Sequence, residues 1–207
     1  MLFFKKRIKQ GGSDESLKSD PIEYIAVIDT ETTWGDKVMS IGIVIADKKT
    51  FVPIYYRYFI ISPEYREGGM YSDSLDTETV RIEECSRSKA IKAIKQLLMQ
   101  YSADSICAYN AKFDLKHLPE LGEYNWYDIM RIAAYKQYNS AIPAGLDFCS
   151  TGRLKRGYGV EPIYIMLSGN EDYCESHNAI DDAIDELYIM RMLNHPFSTY
   201  ENIAKIN

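Results

Sequence analysis

No stretch of this chain approaches the roughly 18 consecutive apolar residues that cross a membrane, so a transmembrane segment is not expected. Paired cysteines are missing too. Cys85, Cys107, Cys149 and Cys174 form no C-x-x-C pair and no zinc spacing, and scattered reduced thiols point to a cytoplasmic protein. Positive charge is not in excess: the formal net charge is −6, so the molecule as a whole does not attract a polyanion. Any contact with nucleic acid has to be local or bridged by metal. There is no repeat of fixed period, no long low-complexity tract and no convincing serine or cysteine triad. What is present is the profile of an ordinary globule. Its 207 residues, 46% hydrophobic and 26% charged, suffice for one α/β domain with a sizeable core.

Along the chain, residues 1–20 begin with Leu2, Phe3, Phe4, Lys5, Lys6 and Arg7 and then turn polar. This start is too short for a signal peptide. It reads as a mobile N-terminal tail, with docking on a membrane surface, a partner or nucleic acid as the alternative. The domain is expected over residues 21–195, and residues 196–207 as a short C-terminal tail. Apolar runs at 22–29, 38–46 and 51–61 read as strands joined by short links into an antiparallel meander, with Pro53 favouring an edge position for the third. Residues 62–80 read as a loop. Ala90, Ile91, Ile94, Leu97, Leu98 and Tyr101 recur at helical spacing over 86–101. Lys89, Lys92 and Lys95 lie on another face of that helix and read as solvated.

Residues 104–109 read as a short buried strand running into a helix that Asn110 is placed to cap, with Phe113 pointing into the core and Asp114 in the first turn. A strand end at 125–127 leads to a helix capped near Asp128. Another helix is expected over 148–156, closed by Gly157. Its basic residues Arg153, Lys155 and Arg156 suit either substrate phosphates or the helix C-terminus. A last helix, from about 178 to 193, buries Ala179, Ala183, Ile184, Leu187 and Met190.

The chemistry concentrates in three places. Asp29 and Glu31, at i and i+2 on a strand end, point the same way and lie less than about 7 Å apart along the chain. Carboxylates so crowded raise each other's pKa unless a cation sits between them, and oxygen clusters suit Mg²⁺ or Mn²⁺. On an exposed edge the same pair would be a solvated face. Asp114 and Asp182 each fall in a helix first turn, where the helix dipole favours a carboxylate even without metal. His177 precedes the last helix, where a cap or surface histidine is the plain alternative. Open α/β sheets gather functional groups at strand C-termini and helix N-termini. Four carboxylates gathered there beside a histidine repel one another unless divalent cations join them, and two cations make a two-metal site.

The residues Asp29-Thr30-Glu31, Asn110-x-x-Phe113-Asp114 and His177-x-Ala179-x-x-Asp182-Ala183 resemble the three exonuclease motifs of the DEDDh 3′–5′ exonucleases. This is the DnaQ-like group within the ribonuclease H-like superfamily, which includes the proofreading exonuclease subunit of bacterial DNA polymerase III. The position four before the last aspartate is Asn178, not the tyrosine of the sister DEDDy group. The resemblance runs over about 23–193. It implies a mixed five-stranded sheet with helices on both faces, and two divalent cations, Mg²⁺ or Mn²⁺. It implies Asp29, Glu31 and Asp182 as ligands of the first cation, Asp29 bridging to a second that Asp114 holds through water, and His177 as the base that deprotonates the attacking water.

The substrate implied is a single-stranded or frayed DNA 3′ end, shortened with release of nucleoside 5′-monophosphates. An exoribonuclease acting on short RNA is one alternative; a non-catalytic docking module on the same fold is another. A polymerase or replisome partner is implied by the proofreading likeness, although the short stretch after the last helix favours a stand-alone enzyme. Thr30, Thr32, Thr33, Trp34, Asn110 and Phe113 are the expected substrate-binding residues. Where the family often reads Thr-Thr-Gly-Leu, this chain has Thr32-Thr33-Trp34-Gly35. Trp34 either stacks on the terminal base or covers the neighbouring core.

Overall fold

Ile25, Ala26, Val27 and Ile28 are all fully buried, as a continuous apolar run must be when a strand is covered on both faces. They lie in β1 (Tyr24–Thr32), a central strand with three strands on one side and two on the other, in a computed structural model that describes residues 22–207. The proposed N-terminal tail lies outside the described residues. β2 (Val38–Asp47) and β3 (Pro53–Ile61) continue antiparallel from β1. β4 (Ile82–Cys85) adds in parallel to β3, and β5 (Ser105–Ala108) and β6 (Asn125–Asp128) add in parallel on the other side of β1. The order is β4-β3-β2-β1-β5-β6, an α/β fold with a mixed sheet of six strands rather than five.

The sixth strand is β4. Its four residues, Ile-Glu-Glu-Cys, carry no apolar alternation, and it forms because the end of β3 offers it a parallel partner. It pairs only from Tyr58 onward, so Pro53 stands on the half of β3 left without a neighbour on that side, which is where a residue lacking an N–H fits.

Alternate residues of the strands feed two cores. Ile25, Val27, Met39 and Val44 pack with Ala179, Ala183 and Leu187 of α5 (Ala179–Leu193); Ala26, Ile28, Ile41 and Ile43 pack with Ile94 and Leu98 of α1 (Arg87–Gln100) and with Trp126. Helices therefore cover both faces. α1 begins at Ser86, whose side chain accepts from the Lys89 N–H, and α5 begins at Asn178, whose side chain accepts from the Ile180 N–H.

Several expectations are corrected. Residues 148–156 are not helical: Phe148 bridges Leu154 and Tyr135 bridges Arg153 around Gly152, whose φ of 91° no helix interior accommodates. The helix lies further on, at α4 (Val160–Ser168), with Pro162 in its first turn, where a missing N–H costs nothing, and left-handed Gly169 at its end. Gly157 and Gly159 thus introduce a helix instead of closing one. After Asp128 there is a single turn, α3 (Met130–Ala133).

The segment at 196–207 is not a loose tail. A helix at Phe197–Ile203 buries Phe197 and Tyr200 against Phe51 and Tyr127, and Ile206 N–H donates to the Trp126 carbonyl at 3.0 Å. Aromatic residues spaced three apart are too sparse a pattern to show this before the partner surface is known.

One close approach sets the geometry that matters. A Cβ on Gly42 would lie 2.1 Å from the Ala179 carbonyl oxygen and 2.5 Å from the Ile180 Cα, so the first turn of α5 rests on bare β2 backbone. Gly42 is paired with Asp29 across the β1–β2 ladder. Replacing Gly42 with alanine should cost about 1–3 kcal/mol of folding stability from overpacking. Chemical denaturation reads this directly; an unchanged midpoint would show that the helix can move aside freely.

Candidate active site

β1 ends in a bulge between Glu31 and Thr32, and the chain then turns sharply through Asp36, whose φ is 61°. Thr33 organises the turn: its N–H donates to the Lys37 carbonyl at 2.8 Å, and its hydroxyl accepts from the Gly35 and Lys37 N–H groups. The turn lifts Trp34 to 71% exposure, so the indole covers no core. Asp29 and Glu31, two residues apart, share the sheet face on which α5 packs. Asp182, one turn into that helix, meets them there at 3% exposure.

Asp114 approaches from α2 (Lys112–His117) and is 1% exposed; the Thr30 hydroxyl donates to its Oδ1 at 2.8 Å. His177 sits just before α5 with φ of 54°. Ligand atoms of Glu31, His177 and Asp182 all lie within 4.8 Å of one another.

A cleft of about 390 Å³ opens over these groups, lined among others by Asp29, Glu31, Trp34, Phe113, His177 and Asp182. Thr30, Thr32 and Thr33 line it too. Asp114 is not part of the lining: it lies buried behind it, hydrogen-bonded to Thr30 and near enough to Asp29 and Glu31 to raise the pKa of both. Asn110 stands apart: its side chain does not cap α2, its φ is 62°, and its N–H donates to Asp128 Oδ1 at 3.0 Å. Phe113, expected in the core, is 39% exposed and packs on His117 at 4.3 Å. Within so short a helix the sheet-facing side is taken by Asp114 and His117.

Other residues near these groups belong to none of the three motifs. Glu175 and Tyr71 line the same cleft, as does Met70, which is 66% exposed. Glu186, one turn beyond Asp182, is 2% exposed with an unpartnered Oε2. The signal for Glu186 was its i+4 spacing from Asp182; for Met70 and Tyr71, in a long loop, none was available.

The charge balance of the cleft is one-sided. Its lining among the described residues includes Asp29, Glu31, Asp36, Glu175 and Asp182 but no lysine or arginine. Burial, reinforced by Glu175 and Asp114, pushes Glu31 up to about 8. Burial with Glu175 and Glu31 takes Asp182 to about 8. Burial takes Asp114 to about 7 against the opposing pull of its Thr30 hydrogen bond. Asp29 is held well above the usual carboxylate range by burial and by Asp114, Asp182 and Glu31, and Glu186 by burial and Asp29. Asp29 Oδ2 is buried with no hydrogen-bond partner. An orphaned carboxylate oxygen amid acids that resist ionising is a site short of positive charge, and its all-oxygen donors with one imidazole fit a hard divalent cation.

No family model matches the sequence, and no curated protein matches it. Solved structures do. The nuclease domain of 3′hExo, a DEDDh family member bound to rAMP, superposes with a TM-score of 0.60 at 12% identity, covering 91% of this chain and 98% of that one. The chain has the fold of that exonuclease domain. A 3′-exonuclease described in 3′-end-specific recognition of histone mRNA stem-loop matches with a TM-score of 0.57 at 15% identity, over 90% of this chain and 86% of that one. The zinc-bound E. coli ExoI–ssDNA complex matches with a TM-score of 0.56 at 13% identity, covering 84% of this chain but 40% of ExoI. This chain therefore corresponds to less than half the length of ExoI.

Raised carboxyl pKa values have a sign. The folded state keeps protons that the unfolded chain has released, so stability present below about pH 4 is lost as pH rises towards about 8. Melting in EDTA should fall over that window. Mg²⁺ or Mn²⁺ should raise the melting temperature most near pH 8, the gain corresponding to about 2.7 kcal/mol at a hundredfold excess over Kd. A metal effect independent of pH would contradict this account.

Proposed function

We propose that this protein is a divalent-metal-dependent 3′–5′ exonuclease that hydrolyses the terminal phosphodiester of a single-stranded or frayed DNA end and releases nucleoside 5′-monophosphates. The observation that carries the reading is the convergence of Asp29, Glu31 and Asp182 with His177 on one cleft, with Asp114 buried behind Thr30 and Asp29 Oδ2 unsatisfied. The shared exonuclease fold supports it. Asp29, Glu31, Asp114 and Asp182 would hold two cations, Mg²⁺ or Mn²⁺. Bound there, these supply Lewis-acid stabilisation of charge on the attacking and leaving oxygens.

The chain's own groups do the rest. His177 stands beside the carboxylates at the mouth of the cleft, where its imidazole accepts a proton from the attacking water. No protein nucleophile is required. Trp34, Met70 and Phe113 present exposed apolar surface around an acidic floor, an arrangement that receives a nucleobase on the rim and the phosphate below. With no basic side chain in the lining, attraction for the phosphate has to come from the cations.

RNA is the second reading: the structure of the 3′hExo nuclease domain, of which this chain covers 98%, is bound to rAMP. Matched DNA and RNA oligomers, labelled at the 5′ end and incubated with Mg²⁺, separate the two readings by relative turnover.

Stepwise loss of 3′ nucleotides that EDTA abolishes is the expected result, and Asp29→Asn or Asp182→Asn should remove it. Full activity in both variants would sink the reading. His177→Ala should lower kcat by about 10²–10⁴-fold. Trp34→Ala should weaken substrate binding by about 1–3 kcal/mol, seen mainly in KM.

A further inference from the structure

The Tyr71 ring lies against the His177 imidazole, with centroids 3.9 Å apart and planes 17° from parallel. A general-base histidine is ordinarily oriented by a hydrogen bond to its second ring nitrogen. Among the described residues none hydrogen-bonds the His177 ring, whereas His117 and His195 each have ring hydrogen bonds. The stacked tyrosine is the contact that defines the plane of this imidazole.

Both partners of the stack are themselves secured. The loop carrying Tyr71 rests on the end of β1: a Cβ on Gly69 would lie 2.3 Å from the Thr32 carbonyl oxygen and 3.1 Å from the Thr33 Cα, and the Trp34 N–H donates to the Gly68 carbonyl at 2.9 Å. Only glycine permits that approach, so Tyr71 is referenced to the backbone that bears Glu31. On the other side, Tyr173 stacks on Tyr164 at 4.0 Å and its hydroxyl donates to Asp185 Oδ2 at 2.6 Å. The Glu175 N–H donates to Glu161 Oε2 at 3.0 Å. Those contacts bring the 173–178 segment to the cleft but leave the imidazole free to turn about its own χ angles. His177 also has its φ at 54°, a left-handed conformation unfavourable for a non-glycine residue, which surrounding contacts must offset.

We propose that Tyr71 is a positioning residue for His177. Its ring face, and not its hydroxyl, fixes the imidazole plane beside Glu31 and Asp182. The proposal rests on His177 acting as the base, and it gives the loop at 68–75 a part in turnover that no sequence motif marks. Preorganising a base in this way acts on the chemical step and leaves ground-state binding of substrate largely untouched.

The test compares Tyr71→Phe, which keeps the ring, with Tyr71→Leu, which removes it. In the metal-free protein, the His177 ring C–H resonances, assigned by their loss in His177→Gln, should carry an upfield ring-current shift. Tyr71→Phe should retain that shift and Tyr71→Leu abolish it. In steady-state turnover Tyr71→Leu should lower kcat by about tenfold or more with KM within about twofold, and Tyr71→Phe should stay near the parent. Melting curves establish that both variants fold.

An unchanged His177 spectrum in Tyr71→Leu overturns the proposal. So does an equal loss of kcat in Tyr71→Phe, which would assign the role to the hydroxyl, or an effect confined to KM, which would make Tyr71 a substrate contact. Failure of the underlying reading looks different: the parent would lack nuclease activity, or His177→Ala would keep it, while the spectra still report whether the stack forms.

Discussion

Everything at the cleft depends on how closely α5 approaches the sheet. Because Gly42 has no side chain, the first turn of the helix rests on the backbone of β2, opposite Asp29 on the neighbouring strand. Any larger residue would push the helix outward, and Asp182 would leave the neighbourhood of Asp29 and Glu31. The alanines at 179 and 183, both fully buried, serve the same end from the helix side. A steric allowance of a few ångströms thus decides whether three carboxylates share one site.

Sharing that site is electrostatically unfavourable. Buried acids with no lysine or arginine among them are held well above the usual carboxylate range, and Asp29 retains an oxygen without a partner. The rest of the domain supplies the compensating stability: two cores on opposite sheet faces, capped helices, and a C-terminal helix locked onto β6. Such an arrangement keeps its fold while carrying unfavourable charge, which a divalent cation held there would relieve.

The motifs were legible because each is a local arrangement. Asp29 and Glu31 share a face by strand periodicity, Asp182 falls in the first turn of a helix that Asn178 caps, and Asp114 falls in the first turn of a helix that has no side-chain cap. The large helices and the three long strands followed from apolar period for the same reason. What escaped was governed by distant partners. β4 exists because β3 continues past its neighbour, the helix at Val160–Ser168 was obscured by glycines that read as a stop, and Phe113 is turned outward by competition within a six-residue helix.

By itself the sequence determined which chemical groups were available and the elements that carry them, since periodicity, capping and i, i+2 spacing act over a few residues. The tertiary structure alone decided what surrounds those groups. Trp34 projects into solvent instead of covering the core, Glu175 and Glu186 add charge to the cluster, and Tyr71 lies on His177 across more than a hundred residues of chain. Loop placement of that kind depends on contacts such as Gly69 against Thr32, whose two halves carry no mark of each other until the sheet has formed.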